Sequence, residues 1–389
     1  DAVTNFPPDD PSAARNSPSR MSSARAASSP SSYHPPTTPN TCYYNVLPTP
    51  YGGRGAFANQ FISKGTILLQ CEGPYASVVM RKFRKDVCRW CFAWSRECVE
   101  GSKGAWNVRL EMEGLNLAQG SPWFCSGDCR SKWIAEYSSN RAPLPEVVGV
   151  LSTLEKTLVN YKSAKAKGKA RAIEPNPLLF LDTWTSEEVT QERIDSCFDI
   201  AASMSKVKPV KLLDQLEAWN DQSAEDPTDL LSEYEADCAR FVLDGLLRHA
   251  LELSRSEDLP GDTPVDDKKG CGKWLDFLEL QNNELATMKL KPYMTGVTIR
   301  VFLFLKYVIL SSLPQRKQPP SLFLSSLAHL VDTPEVVRAI LARDHANVFG
   351  IWDKGFSDNG KNDGDESEML GWGAYVFGSY FNHGASFAI

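Results

Sequence analysis

Apolar residues recur at the spacing of an α-helix through most of the chain after residue 138. They stand three and four residues apart, which places them on one face of a helix and leaves polar residues on the other. Pro and Gly lie at most of the joints between these windows and break the helices there. The pattern predicts a largely helical block of about 200 residues, with helices over 144–161, 186–204, 228–255, 272–290, 296–313 and 320–349.

A different pattern precedes this block. Short runs of β-branched and aromatic residues, separated by glycines, predict strands over 43–47, 66–72 and 75–80. Residues 130–137 predict a short helix with Trp133 on one face. Small β-units followed by many helices indicate an α+β fold, with a small β-rich part and a large helical part.

The first forty residues have neither pattern. They contain eight of the 25 prolines and nine serines, with almost no large apolar side chains. Such a segment cannot bury enough apolar surface to offset the entropy lost on ordering, so we expect a disordered tail over 1–40. Its three arginines leave an organelle transit peptide as a weaker alternative, which two aspartates and the prolines disfavour.

Net charge and hydropathy limit the classes of partner that this chain is expected to bind. The net charge of -6 gives no support to broad nucleic-acid binding and is compatible with a basic peptide partner. The longest apolar stretch, 297–313, is interrupted by Arg300 and Lys306, so we expect no membrane span. A Lys-rich run at 162–171 favours a solvated linker over a nucleic-acid contact or a nuclear address, and an acidic run at 357–368 predicts a second exposed loop.

Four of the ten cysteines form two close pairs. Cys88 and Cys91 are separated by two residues, and Cys125 and Cys129 by three, with 33 residues between the pairs. Two such pairs complete a tetrahedral zinc shell, and four protein ligands leave no open position, so this spacing predicts one structural zinc ion. Four reduced cysteines that cluster by chance are the alternative. Because no apolar signal segment precedes them, we expect an intracellular, reducing compartment, the nucleus or the cytoplasm.

The cysteine pairs resemble part of a MYND zinc finger. Cys88-Arg89-Trp90-Cys91 resembles the first pair of that finger, and the segment from Phe124 to Trp133 resembles its third pair. In the MYND family these two pairs share the first of two zinc ions. This chain lacks a recognisable second pair and the final His-x3-Cys, so the resemblance implies that a single zinc site remains.

The surrounding segments resemble a SET domain split by such a finger. Tyr51-Gly52-Gly53-Arg54-Gly55-Ala56-Phe57-Ala58 looks like the opening of the domain. Asn347-Val348-Phe349-Gly350-Ile351-Trp352 and Ser379-Tyr380-Phe381-Asn382-His383 look like its later motifs. After the predicted tail over 1–40, the resemblance implies an N-terminal SET part over 41–85, a MYND-like finger over 86–135, a helical insertion over 136–342 and an incomplete C-terminal SET core over 343–389.

This resemblance implies a protein-lysine methyltransferase that uses S-adenosylmethionine and acts on histone tails or other proteins. Gly53, Arg54 and Gly55 would let the backbone approach the cofactor. Asn347 would contact its amino-acid end, and Asn382 with the His383 backbone would bind its adenosine portion.

The end of the sequence departs from the SET pattern. After His383 the family expects a Cys-x-Pro-Asn segment and, further on, the catalytic tyrosine, whereas this chain reads Gly384-Ala385-Ser386-Phe387-Ala388-Ile389. We therefore expect a truncated sequence with an unknown catalytic residue and little methyl transfer in this form. Two alternatives stay open, namely a zinc-organised interaction scaffold in transcriptional regulation without catalysis and a helical protein with an incidental zinc knuckle.

Overall fold

A computed structural model describes most of the chain after residue 42. The described residues are 43–50, 53–95, 105–112, 120–138, 144–165, 178, 181, 184–222, 230–256, 271–314, 319–353 and 367–381. The predicted tail lies outside these ranges, as do Asn382 and His383 and most of the two predicted exposed loops. All the described residues belong to one compact unit.

The described β-strands are short and antiparallel. They are β1 (Tyr44–Pro48), β2 (Arg54–Ala58), β3 (Ala76–Val79), β4 (Val108–Arg109), β5 (Trp123–Phe124), β6 (Val348–Trp352) and β7 (Met369–Ala374). β1 and β2 form a hairpin in which Tyr44 lies opposite Ala58. The strands predicted over 43–47 and 75–80 are confirmed. The strand predicted over 66–72 is wrong, because this segment forms no ladder and Ile67 is 76% exposed.

The central sheet joins the two ends of the described chain. Its strand order is β3-β7-β6, with Ala76 and Val348 both opposite Ala374. The sequence pattern did not predict β6 or β7. β7 contains two glycines, and the first residues of β6 were included in the helix predicted over 320–349. Gly371 is required there, since a Cβ at this position would lie 2.2 Å from the carbonyl oxygen of Val78. The close approach of β3 therefore explains the poor strand pattern of β7.

Helices make up most of the rest, and together with the small sheets they give the predicted α+β fold. They are α1 (Gly127–Tyr137), α2 (Leu144–Lys165), α3 (Gln191–Met204), α4 (Pro209–Gln222), α5 (Glu233–Ser256), α6 (Trp274–Leu278), α7 (Glu284–Leu290), α8 (Met294–Ser312), α9 (Leu322–His329) and α10 (Glu335–Asn347). α5 packs on β3, α8 and α9, and α8 also packs on α2 and α4. The main hydrophobic core lies between these helices and the inner face of β3.

Helix α8 is long and apolar enough to cross a membrane by length and composition alone. Its side chains are mostly buried inside the protein, however, and residues 301–305 are fully enclosed. The buried Lys306 donates hydrogen bonds to the Ser205 hydroxyl at 3.3 Å and the Asp332 carbonyl at 3.0 Å. This burial against other helices is what a core helix shows.

Two predicted helices are each divided in the structure. The helix predicted over 272–290 separates into α6 and α7 around residues 281–283, and the helix predicted over 320–349 separates into α9 and α10 at Pro334. α10 also ends at Asn347, where β6 begins. Helix α4 was not predicted. The segment between α6 and α7 lies beside the hairpin, where the Glu279 carbonyl accepts a hydrogen bond from Arg54 at 2.7 Å.

Candidate metal centre and cofactor region

The four predicted zinc ligands lie together. The Sγ atoms of Cys88, Cys91, Cys125 and Cys129 all lie within 4.8 Å of one another. The Cys91–Cys125 and Cys125–Cys129 sulfur distances are 3.6 and 3.5 Å. Zinc–sulfur bonds of about 2.3 Å in a tetrahedron place the sulfurs about 3.8 Å apart. The cluster therefore has the dimensions of a four-thiolate zinc site, and its cysteines are free of disulfides.

Local backbone structure sets the direction of these thiols. The Cys88 N–H donates to the Ala93 carbonyl at 2.9 Å, and Phe92 turns the chain with a positive φ of 59°. Cys129 lies in the first turn of α1, where its N–H donates to the Ser126 side chain at 3.2 Å. A hydrogen bond from the Cys91 side chain lowers the pKa of the Cys88 thiol below its usual range.

Arg89 connects the cluster of four cysteines to the rest of the protein. Its guanidinium contacts the Asp244 carboxylate of α5 at 2.5 Å and donates to the Ser77 hydroxyl of β3 at 2.7 Å. The same carboxylate accepts the Ser77 N–H at 2.8 Å and the Tyr137 hydroxyl at 3.5 Å. Because Arg89 lies between Cys88 and Cys91 in sequence, one buried polar cluster joins the metal ligands, the central sheet and the helical part.

The predicted cofactor residues Gly53 and Arg54 lie at the start of β2. The Arg54 guanidinium contacts Glu279 through the carbonyl oxygen at 2.7 Å and the side chain at 3.0 Å. It also donates to the Tyr380 hydroxyl at 3.0 Å and lies over the Tyr380 ring. Arg54 therefore holds the hairpin against the segment after α6 and the turn Gly378–Tyr380. Gly55 lies next along β2, opposite Leu47.

Asn347 lies beside the same segment. Its side-chain amide donates to the carbonyl oxygens of Gln281 and Arg343, each at 2.9 Å. Gly53 adopts a positive φ of 68°, and a Cβ there would lie 2.5 Å from the Gln281 side-chain oxygen. The Ser379 hydroxyl donates to the Asn347 carbonyl at 2.8 Å. Three segments that are far apart in sequence therefore meet around Gln281.

Gly53, Arg54 and Asn347 all lie against the segment 279–283 in the structure. Asn382 and His383 lie outside the described residues, but Phe381 precedes them and packs edge-on against Tyr44 with ring centres 5.0 Å apart. Sequence reasoning missed the participation of the segment 279–283. The Asn282-Asn283 doublet inside a helical pattern was the available signal for a break there.

Comparison with known proteins gives one informative similarity. No protein-family model matches the chain, and no solved structure matches it. A protein of Saccharomyces cerevisiae named potential protein lysine methyltransferase SET6 is 24% identical to it over 354 residues, which cover 88% of this chain and 78% of the yeast protein. This distant similarity supports a SET-like protein, and it does not specify a MYND-type finger.

Proposed function

We propose that this chain is a SET-type protein-lysine methyltransferase that binds S-adenosylmethionine around Gly53, Arg54, Gly55, Asn347, Asn382 and His383. The observation that carries the proposal is that the turn Gly378–Tyr380 contacts both the hairpin, through Arg54, and the end of α10, through Asn347. Asn347 also donates to the Gln281 carbonyl. The similarity to the yeast protein named potential protein lysine methyltransferase SET6, which covers 88% of this chain, supports the same assignment. Lysine-containing proteins are the proposed substrates, with histone tails as one class.

Asn347 is suited to recognise the amino-acid end of the cofactor. Its amide nitrogen is already bonded to the carbonyls of Gln281 and Arg343. Its Oδ1, in contrast, forms no hydrogen bond with any residue that the structure describes. This oxygen is therefore the atom that would accept from an ammonium group. Arg54 is a positioning residue, since its guanidinium is held by Glu279 and Tyr380.

Bound S-adenosylmethionine would supply a sulfonium methyl group for transfer to a lysine amine. Gly53 would allow the backbone to approach the cofactor because it has no Cβ, and its positive φ of 68° favours glycine at this point of the chain. The protein must also present the amine in its neutral form and in line with that methyl group, which a desolvating channel achieves. No described residue is assigned as the catalytic group.

We also propose that Cys88, Cys91, Cys125 and Cys129 bind one zinc ion in a MYND-like knuckle. Four thiolates saturate the ion, so its role is to hold the fold and not to activate water. Reduced thiols require a reducing compartment, which fits an intracellular protein of the nucleus or cytoplasm. Metal analysis of the purified protein tests this assignment directly, with one zinc per chain expected.

The cofactor assignment is tested by isothermal titration of the full chain with S-adenosylmethionine and with S-adenosylhomocysteine. We expect binding of both, weakened roughly tenfold to a hundredfold in Asn347→Ala, because a hydrogen bond to a charged group contributes about 1.5–3 kcal/mol. Asn347→Asp keeps an oxygen that can accept from the ammonium group but loses the N–H that donates to the Gln281 carbonyl. It therefore distinguishes recognition of the ammonium group from the contact with Gln281. Asn45→Ala removes an exposed amide of the same hairpin region and serves as the matched control.

Binding is followed by a transfer assay with radiolabelled S-adenosylmethionine on histones and on a protein extract. Labelled lysine in an acceptor protein supports the proposal. A zinc-loaded, cooperatively folded protein that binds neither cofactor form contradicts it and favours the interaction scaffold.

A further inference from the structure

A cleft of 460 Å³ opens between the turn that follows β3 and the start of α5. It lies at the end of the central sheet away from the cofactor region. Val79, which precedes the turn, pairs with Gly371 near the start of β7, whereas Val348, which follows Asn347, pairs with Ala374 at its end. The cleft is therefore separate from the proposed methyl-transfer site. Its volume is within the usual range for a ligand pocket, about 300–1,000 Å³.

One part of the cleft wall is apolar. It consists of the side chains of Met80, Leu158, Leu230, Leu231 and Ala236. These residues come from the turn, α2 and the start of α5, so the apolar wall is built by three separate elements. A purely ionic ligand would gain nothing from this surface, whereas an apolar side chain placed there would be removed from water.

The other part of the wall is cationic. Arg81, Lys82 and Arg84 all project from one turn into the lining of the cleft, and Arg240 of α5 joins them. Arg240 is neutralised by Glu155 at 2.6 Å and by Asp237 at 2.8 Å. Lys82 pairs with Glu368, but the two side chains are 55% and 50% exposed, and such exposed pairs contribute little to stability. Arg81 and Lys82 are exposed and supply the accessible positive charge of the turn, whereas Arg84 is half-buried and is attracted by Glu155.

The charges around Arg84 also favour binding of an anion. Burial lowers the pKa of Arg84, and the like charges of Arg81 and Arg240 lower it further, against the opposing effect of Glu155. A second cavity of 110 Å³ shares the same three arginines in its lining. Guanidinium groups that repel one another are stabilised by an added negative charge.

We propose that this cleft docks an acidic segment of a partner protein. Its carboxylates contact Arg81, Lys82 and Arg84, and its apolar side chains lie against the leucine wall. The protein as a whole carries a net charge of -6, so attraction of an acidic partner depends on this local surface and not on the overall charge. Glu233 also lines the cleft, and its negative charge repels carboxylates, so the acidic residues of the partner lie at Arg81 and Lys82 instead. The cleft binds its partner independently of methyl transfer.

The test uses fluorescence anisotropy of a labelled ten-residue peptide of alternating Glu and Leu, titrated with the full chain. Two matched peptides carry Lys in place of Glu or Ser in place of Leu. We expect binding of the Glu/Leu peptide that weakens with added salt, and at least tenfold weaker binding of both matched peptides. The variant Arg81→Glu/Lys82→Glu, which changes two exposed side chains, is expected to weaken binding of the Glu/Leu peptide at least tenfold.

Lys85→Glu provides the control on the same turn, because Lys85 is exposed and does not line the cleft. It is expected to bind within twofold of the wild type. Equal binding by the double variant, no binding by the wild type, or full displacement by inorganic phosphate overturns the proposal. Dimerisation through the cleft, detected by light scattering, also overturns it. S-adenosylhomocysteine binding should be unchanged in the double variant, which separates this result from the test of the proposed function.

Discussion

The contact between Arg89 and Asp244 gives the most quantitative prediction. The Arg89 and Asp244 side chains are only 23% and 14% exposed, so solvent screens the pair weakly. Replacing Arg89 with Met removes the cation and leaves the carboxylate in place. Loss of one partner from a buried ion pair costs about 3–5 kcal/mol.

The hydrogen bonds that Asp244 keeps in Arg89→Met determine where in that range the loss of unfolding free energy should fall. The Ser77 N–H and hydroxyl remain at 2.8 and 3.0 Å and still solvate the carboxylate. We therefore expect Arg89→Met to lower the free energy of unfolding by about 3 kcal/mol, the lower end of the range. The measurement is urea unfolding of the zinc-loaded protein, followed by tryptophan fluorescence.

A double-mutant cycle isolates the contact. Asp244→Asn alone and combined with Arg89→Met should give a coupling energy of about 2 kcal/mol, within the range for residues in contact. Arg109→Met is the control, because the Arg109–Glu111 pair is exposed and should contribute less than about 1 kcal/mol. Equal losses for Arg89→Met and Arg109→Met, or additive effects in the cycle, would refute the reasoning.

Three further predictions concern other parts of the molecule. Gly53→Ala should lower the free energy of unfolding by about 1–2 kcal/mol because of the positive φ, and it should weaken cofactor binding because the added methyl group meets Gln281. Gly65 also has a positive φ, of 87°, but has open space around it, so Gly65→Ala should lower stability without changing cofactor binding. Burial raises the pKa of Asp344 from 3.8 to about 7, so the folded state holds the extra proton and wild-type stability should fall relative to Asp344→Asn as the pH rises from 4 to 7. Urea unfolding at pH 5 and pH 8 measures this difference, and a constant difference contradicts it. Cys125→Ser should lose most of the bound zinc by mass spectrometry and unfold at lower temperature, while retention of one zinc per chain would exclude Cys125 as a ligand.

The sequence was most informative where structure is local. Cys88 and Cys91 are two residues apart, so their spacing alone predicts a shared metal, and the structure places their sulfurs in one cluster with Cys125 and Cys129. Helices such as α8 were predicted closely because an apolar period needs no distant partner. Of the two boundaries that failed, the one at Pro334 has a local signal, since proline interrupts a helical pattern. At residues 281–283 the cause is long-range, because the Asn283 N–H donates to the Ala342 carbonyl of α10.

Long-range pairing was beyond the sequence pattern. β7 packs so closely on β3 that it needs glycine, which hides its strand character. The contact of Arg89 with Asp244 spans 155 positions, and Asn347 meets Gln281 across 66. No periodicity encodes such contacts. The resemblance to SET domains supplied the relation between Gly53 and Asn347, whereas the support from Gln281 became visible only in the structure.

The order of strands in the central sheet has a consequence for how the protein is made. β3 can pair with β7 only after about 300 further residues have been synthesised, which takes roughly 15–60 s at the usual rate of translation. During that interval β3 has no ladder partner from this sheet, while the cysteine knuckle and the helices can already form from neighbouring residues. We expect the apolar β3 strand to be the segment most in need of chaperone protection on the ribosome.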